Sequence, residues 1–284
     1  MSLIFPGIRI HSILFFPFVR MSRRDIGKAR GFLGKIKFLR KKWLLKFATR
    51  FSRLGTVFVL NDKEAVRRLN HLLGQADPIV RFLPDPVPVW EGSGGALRPS
   101  EKCTFLMIGA LRRRKGVFEV LEAFRMLNDK EALRDAKLIL AGDPTREDRN
   151  ALVSAVEALR AQCPDLEVET QFRKLSEAEF VDRFAESTVV LVPYTRPEGS
   201  SGILGHAARA NRPVVGPRDG LIGDLIRDYD LGYTLDDVSA ESLSAYFERA
   251  ISSAGDLASS PRQREFVEER KPENFARILL NAAC

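Results

Sequence analysis

The sequence predicts an α/β protein: a doubly wound parallel sheet preceded by a smaller, incomplete α/β domain. Three observations carry this. Short apolar runs such as Cys103–Ala110 and Thr188–Val192 have the length and β-branched content of strands buried on both faces. Stretches with apolar residues at three- and four-residue steps separate these runs, as in a βαβ chain. Pro84, Pro86, Pro88, Gly92, Gly94, Gly95 and Pro99 then exclude regular structure from one region and mark a domain boundary. Residues 1–85 therefore read as a partial N-terminal domain, 86–100 as a linker, 101–260 as the main domain and 261–284 as a C-terminal helix.

The composition is that of a globular protein, with 284 residues, 45% hydrophobic and 29% charged. Cys103, Cys163 and Cys284 are odd in number and widely spaced, which suggests neither a disulfide framework nor a zinc site and favours a reducing cytoplasm. The apolar run Ile13–Val19 contains Pro17, is too short to span a bilayer and has no signal-peptide cleavage pattern after it. No internal repeat at a fixed period is found. The net charge of +8 is unevenly placed: residues 1–60 hold 14 Lys and Arg against Asp25 alone (+13), and the remainder holds 31 against 36 (−5).

Taken in order, Phe32, Ile36, Leu39, Trp43, Phe47, Phe51 and Leu54 recur at helical spacing, with Lys35, Lys42, Lys46, Arg50 and Arg53 on other faces. This basic amphipathic helix, about residues 32–54, suits an anionic membrane surface; the alternative is a helix packed on its own domain with a solvated rim. Nucleic-acid binding ranks last, because neither a helix-turn-helix nor an aromatic platform accompanies the charge. Thr56–Leu60 reads as a strand, Asp62 as the cap of a helix to Leu73, and Ile79–Leu83 as another extended run. Beyond the linker the strands are Cys103–Ala110, Ala136–Ala141, Leu166–Phe172, Thr188–Val192, Pro213–Gly216 and Gly232–Leu235. The helices between and after them are Val117–Leu127, Glu147–Ala161, one capped by Ser176 with Glu179, Ile203–Ala210, Leu221–Arg227 and one from Ser239 to Ser252.

Two loops carry chemistry. Glu198, Gly199, Ser200, Ser201 and Gly202 open a helix directly after a buried strand, which aims backbone N–H groups and a positive dipole end at the carboxyl edge of the sheet, a place where phosphate binds. The bland alternative is a loop that only turns the chain tightly. The second loop, GALRRRKG at Gly109–Gly116, puts Arg112, Arg113, Arg114 and Lys115 after another strand, where a cation can neutralise a diphosphate. It lacks the glycine spacing of a Walker motif, and its alternative is a solvated basic turn.

The order Glu, Gly, two small residues, Gly, short helix, basic residue, Pro, Val-Val resembles the donor-binding signature of retaining glycosyltransferases of family 4, which have the GT-B fold. The resemblance covers roughly residues 56–253. It implies a Rossmann-like donor domain in which Gly199, Ser200, Ser201 and Gly202 wrap the diphosphate of a nucleotide-sugar and Glu198 approaches the sugar. Lys115, before Gly116, matches the Lys that contacts the diphosphate, in the loop that Gly109 opens. The family's Arg is replaced by Ala110, with Arg112 as its candidate substitute. His206 stands where a second Glu usually holds the ribose; a neutral imidazole can bond one hydroxyl but lacks two carboxylate oxygens. Ala141-Gly142-Asp143 matches a weaker turn motif, and Phe172 and Arg173 occupy the turn that meets the nucleobase. The last apolar helix, about Arg264–Leu280, fits the family's crossing back to the first domain. The acceptor domain is short, and His11 matches no family position and reads as structural.

The resemblance implies metal-independent transfer of a hexosyl group, with retention, from a nucleotide diphosphate sugar to a glycan or lipid-linked acceptor. The expected setting is cytoplasmic, peripheral at the inner membrane face. The alternative is a catalytically inactive nucleotide-sugar-binding or docking protein derived from such an enzyme.

Overall fold

Cys103–Ile108 (β4) is the central strand around which the larger part of the chain is laid. Its side chains alternate between two cores: Cys103, Phe105 and Met107 on one face, Leu106 and Ile108 on the other. A strand covered on both sides must read as a continuous apolar run, and this one does. The computed structural model describes residues 9–15, 39–40, 43–44, 47, 54–74, 79–90, 101–127, 129, 131–195, 199, 201–253 and 260–283. These fall into two compact units, one of Val87–Pro197 and Ser201–Glu269, the other of Met1–Pro86, Glu198–Ser200 and Arg270–Cys284.

In the first of these units Ala136–Ala141 (β5), Glu167–Gln171 (β6), Val189–Leu191 (β7), Val214–Pro217 (β8) and Gly232–Leu235 (β9) join β4 in one parallel sheet, ordered β6-β5-β4-β7-β8-β9. Strand order runs outward from β4 in one direction, then restarts at β7 in the other. On one face Phe124 of Val117–Met126 (α2) stacks on Phe247 of Ala240–Ser252 (α7) at 4.4 Å between centroids, and Phe105 meets both rings. Arg146–Gln162 (α3) adds Leu152, Val156 and Leu159 to the same core. Cys103 and Cys163 are free and buried, and burial pushes the Cys103 thiol up to about 12.

The other face is covered by Glu177–Glu186 (α4), Gly202–Arg209 (α5), Gly220–Asp228 (α6) and Pro261–Glu269 (α8). Here His206 of α5 sits in an aromatic box. Its ring is stacked with Trp90 at 5.8 Å and Phe184 at 5.7 Å, and edge-on to Phe180 at 4.8 Å. Trp90 Nε1–H donates to His206 Nδ1 at 3.1 Å, so the proton of the neutral ring is on Nε2. Burial, reinforced by the charge of Arg209, pushes the imidazole down to about 4. Arg212, 7% exposed, donates from Nε to the Phe184 carbonyl at 3.0 Å, which also accepts from the Ser187 hydroxyl at 3.0 Å, and from Nη2 to the Ala185 carbonyl, so its charge lies at the C-terminus of α4.

The other unit has three parallel strands in the order Ile10–Leu14 (β1), Leu54–Leu60 (β2), Val80–Leu83 (β3). Asp62 caps Lys63–Leu73 (α1) by accepting from the Ala65 amide at 2.7 Å. His11 Nδ1 accepts from the Thr56 amide at 3.1 Å, and a Cβ on Gly55 would lie 2.6 Å from the imidazole, so His11 ties the edge strand β1 to β2 as a structural residue. Pro272–Ala283 (α9) lays Phe275, Ile278 and Leu279 on Phe58, Leu60 and Leu83. Arg270, 1% exposed, donates to Asn61 Oδ1 at 3.2 Å, and the same oxygen accepts from the Asp85 amide at 2.9 Å.

The elements differ from the sequence reading in four places. The single helix expected over Arg264–Leu280 is two helices, because Pro272 cannot donate to the preceding turn and disfavours a helical Lys271. The first residues of the expected linker pack as core, with Val87 3% and Trp90 5% exposed. Leu54 begins β2 instead of closing the basic helix, and β1 has no alternating pattern strong enough to announce an edge strand. In the expected basic helix Leu39, Arg40, Trp43, Leu44 and Phe47 are helical, and the rest of it, like residues 91–100 of the linker, lies outside the described residues.

Two stability measurements follow from the buried polar groups. Arg212→Ala is expected to cost about 3 kcal/mol, because two carbonyls lose a charged donor; an unmoved urea midpoint would show that they find another. The folded protein keeps His206 neutral below the 6.5 at which an unperturbed imidazole protonates, so its contribution is complete above that pH and declines as pH falls towards 4. The expected loss is on the order of 2 kcal/mol. Urea titrations at several pH values should show a shallower decline for His206→Gln than for the wild type, and parallel profiles would refute the assignment.

Candidate functional site

At β4 and β7 the strand order reverses, and the helices that follow the two strands leave on opposite faces. Such a reversal opens a crevice outside the carboxyl ends of the strands, where open parallel sheets receive ligands. The loops after both strands meet there by backbone contact. After β4, Gly109 donates its amide to the Ala141 carbonyl at 2.9 Å, and Arg113–Lys115 form a single 3-10 turn ended by Gly116. Gly116 has φ 81°, and a Cβ on it would lie 2.2 Å from the Pro193 carbonyl oxygen. Only glycine permits this approach. Two residues back, the Arg114 carbonyl accepts from both the amide and the hydroxyl of Thr195, each at 3.1 Å.

This clamp decides where the basic side chains go. Lys115 Nζ stands 4.9 Å from the centre of the Tyr194 ring, and 3.8 Å from the point that a Cβ on Gly109 would occupy. Arg113 turns away, its guanidinium 4.1 Å from the centre of the Phe118 ring and 3.7 Å from Asp148. Arg112 is exposed, and its carbonyl accepts from the Lys115 amide at 2.8 Å. Lys115 thus has its charged end beside Gly109 and Tyr194, while that of Arg113 is on Phe118 and Asp148.

From the β7 side, Tyr194 and the N-cap of α5 complete the cradle. Tyr194 and Ser201 are 6% and 9% exposed, and their hydroxyl oxygens are 2.9 Å apart. Ser201 makes no side-chain cap bond, and its carbonyl accepts from the Leu204 amide at 3.1 Å. Gly202 is the first residue of α5. An ammonium and a helix N-terminus so arranged can hold a phosphate or diphosphate.

The structure thus gathers Gly109, Lys115, Ser201 and Gly202. Glu198 and Ser200 lie outside the described residues, and Gly199 groups with the other unit. His206 is one turn further along α5, with its ring in the Trp90, Phe180 and Phe184 box. Phe172 and Arg173 follow β6, two strands from β4, or roughly 10 Å at ordinary strand spacing. The Phe172 carbonyl accepts from Arg149 at 3.1 Å, and Arg173 forks onto Glu179, with one arm at 2.9 Å. Tyr194, Thr195 and Trp90 were missed by the sequence reading; an aromatic residue just after a buried strand and a tryptophan among prolines were the available signals. Among the described residues no group of three His, Cys, Asp or Glu could hold a metal ion.

Comparisons with known proteins give the fold and the family. Among solved structures, α,α-trehalose-phosphate synthase (UDP-forming) from Burkholderia xenovorans, in complex with glucose-6-phosphate, is 13% identical with TM-score 0.71, over 97% of this chain and 68% of its own. Sucrose-phosphate synthase from Thermosynechococcus elongatus is 14% identical with TM-score 0.68, over 95% and 66%. The Anabaena protein HepE, in complex with UDP and glucose, is 14% identical with TM-score 0.63, over 84% and 66%. These neighbours are GT-B glycosyltransferases, and the likeness is one of fold; the chain spans about two thirds of their length. Among curated proteins no match is found. The sequence model of the glycosyl transferases group 1 matches residues 94–270, more than half of the chain and nearly all of the unit that carries the cradle. The chain belongs to the glycosyl transferases group 1 family.

Proposed function

We propose that the protein is a retaining, metal-independent glycosyltransferase that moves a hexosyl group from a nucleotide diphosphate sugar to a glycan or lipid-linked acceptor. The observation that carries this reading is the Lys115 ammonium over the ring of Tyr194, whose hydroxyl meets Ser201 at the N-cap of α5, at the reversal of strand order. A departing diphosphate develops charge there, and a fixed cation and oriented amides stabilise it without reorganising. Lys115, with the backbone of Gly109, Gly199, Ser200, Ser201 and Gly202, would hold the diphosphate, and Glu198 would orient the sugar. His206 would reach the ribose region through Nε2–H as a single donor, and Phe172 and Arg173 would border the base through main-chain atoms. Arg112 is free to swing in as a second cation. UDP is the first nucleotide to try, since it accompanies a neighbouring structure of the same fold.

A second reading, a non-catalytic nucleotide-sugar binder, is favoured by one observation. His206 is enclosed by aromatic rings and neutral, at a position where a carboxylate would grip a ribose. Association with the inner membrane face belongs to the proposal as well. Leu39, Trp43, Leu44 and Phe47, at helical spacing, are 52%, 74%, 57% and 61% exposed, in a segment whose sequence is rich in lysine and arginine.

Three measurements test this. A thermal-shift panel of UDP, GDP, ADP and their sugar conjugates should show one base stabilising the wild type by about 2.7 kcal/mol at a hundredfold excess over Kd, and the shift should vanish in Lys115→Ala. Silence across the panel refutes the donor site. Glu198→Gln should keep nucleotide binding and lose transfer by about a hundredfold or more, while EDTA leaves the wild-type rate unchanged; full activity in Glu198→Gln would assign the transfer to another catalytic group, and nucleotide binding with no transfer by the wild type would leave the non-catalytic reading. Flotation with phosphatidylglycerol vesicles should carry the wild type and leave Trp43→Ser/Phe47→Ser behind, and equal flotation would refute the membrane surface.

A further inference from the structure

Tyr194 touches both halves of the phosphate cradle. The face of its ring lies under the Lys115 ammonium at 4.9 Å, and its hydroxyl is 2.9 Å from Ser201 Oγ. It is 6% exposed, and its amide donates to the Val192 carbonyl at 2.7 Å, so a tight turn at the end of β7 fixes the ring.

The partner of the Tyr194 hydroxyl matters more than the bond itself. A serine at an N-cap ordinarily turns its oxygen onto an amide of its own first turn. Asp62, Thr145, Ser176 and Ser239 all do this, each accepting from the amide three residues on. Ser201 is directed to the tyrosine and makes no such bond. The oxygen that would compete with a ligand for the amides of α5 is thereby held aside. On its other side the ring restricts the four-carbon stem of Lys115, whose charge is attracted to the ring face.

We propose that Tyr194 is a positioning residue for the donor diphosphate: its hydroxyl keeps Ser201 off the first turn of α5, and its ring sets the Lys115 ammonium beside that turn. The inference rests on the nucleotide diphosphate reading of the site and names a residue which that reading does not use.

Tyr194→Phe keeps the ring and removes the hydroxyl, which frees Ser201 to cap its own helix. Titration calorimetry with inorganic pyrophosphate, and separately with UDP, should then give Kd values about tenfold higher than for the wild type. The melting temperature without ligand should stay the same or rise, since a cap is gained, and KM for the donor should rise with kcat held within about twofold. The double variant Tyr194→Phe/Ser201→Ala has no competing oxygen and should bind pyrophosphate more tightly than Tyr194→Phe alone. If the wild type binds and Tyr194→Phe binds equally well, the role of Tyr194 is refuted and the donor site stands. If Tyr194→Phe melts lower and the double variant recovers no affinity, the hydroxyl is structural and the proposal falls. If the wild type binds neither pyrophosphate nor any nucleoside diphosphate, the donor reading falls and this inference with it.

Discussion

The close approach of Gly116 to the Pro193 carbonyl is the contact on which the site depends. A reversal of strand order leaves a crevice because the helices on its two sides diverge, so no side chains from a covering helix fill it. Loops that border such a gap need another source of rigidity. Here it is backbone against backbone: a glycine with positive φ lets one loop rest on the other, and the Arg114 carbonyl receives two bonds from Thr195. Lys115 lies between these two fixed points, which is why it faces the crevice while Arg113, two residues earlier, is turned onto Phe118.

Much of the fold was legible because its signals are local. Caps at Asp62, Ser176 and Ser239 bond the amides that the sequence spacing implies, and continuous apolar runs became strands buried on both faces. What stayed hidden depends on residues distant in sequence. Trp90 stands in a stretch whose prolines and glycines forbid helix and strand, but they do not forbid burial, and its partner His206 lies 116 residues away. Pro272 was visible, yet apolar periodicity on both sides of it suggested one helix; the break shows that a missing amide outweighs a continuing pattern. In the candidate site, Lys115 and the glycines could be read from loop composition. Tyr194 could not, because its role is set by what its two ends touch.

Buried polar groups divide in this protein by whether their partners are complete. Arg212 bonds two carbonyls at the end of α4, one of which Ser187 also serves, so the cost of burying its charge is offset by charged hydrogen bonds to the backbone. His206 is buried neutral, and its depressed titration is the direct consequence. Arg270 shares the Asn61 side chain with the Asp85 amide, joining the start of the C-terminal return to the end of β3. Arg212 is a case of the rule that an interior accepts a charge where hydrogen bonding replaces water.

The break at Pro272 reaches beyond helix geometry. On its N-terminal side α8 gives Phe266 to the core of one unit, and on its C-terminal side α9 covers Phe58, Leu60 and Leu83 of the other. The unit made first on the ribosome is therefore discontinuous: β2 and β3 leave the tunnel with an apolar face whose cover is encoded some 190 residues later. Everything needed by the unit with the phosphate cradle has been made by Glu269. The apolar face of β2 and β3 is thus covered only once α9 has been made.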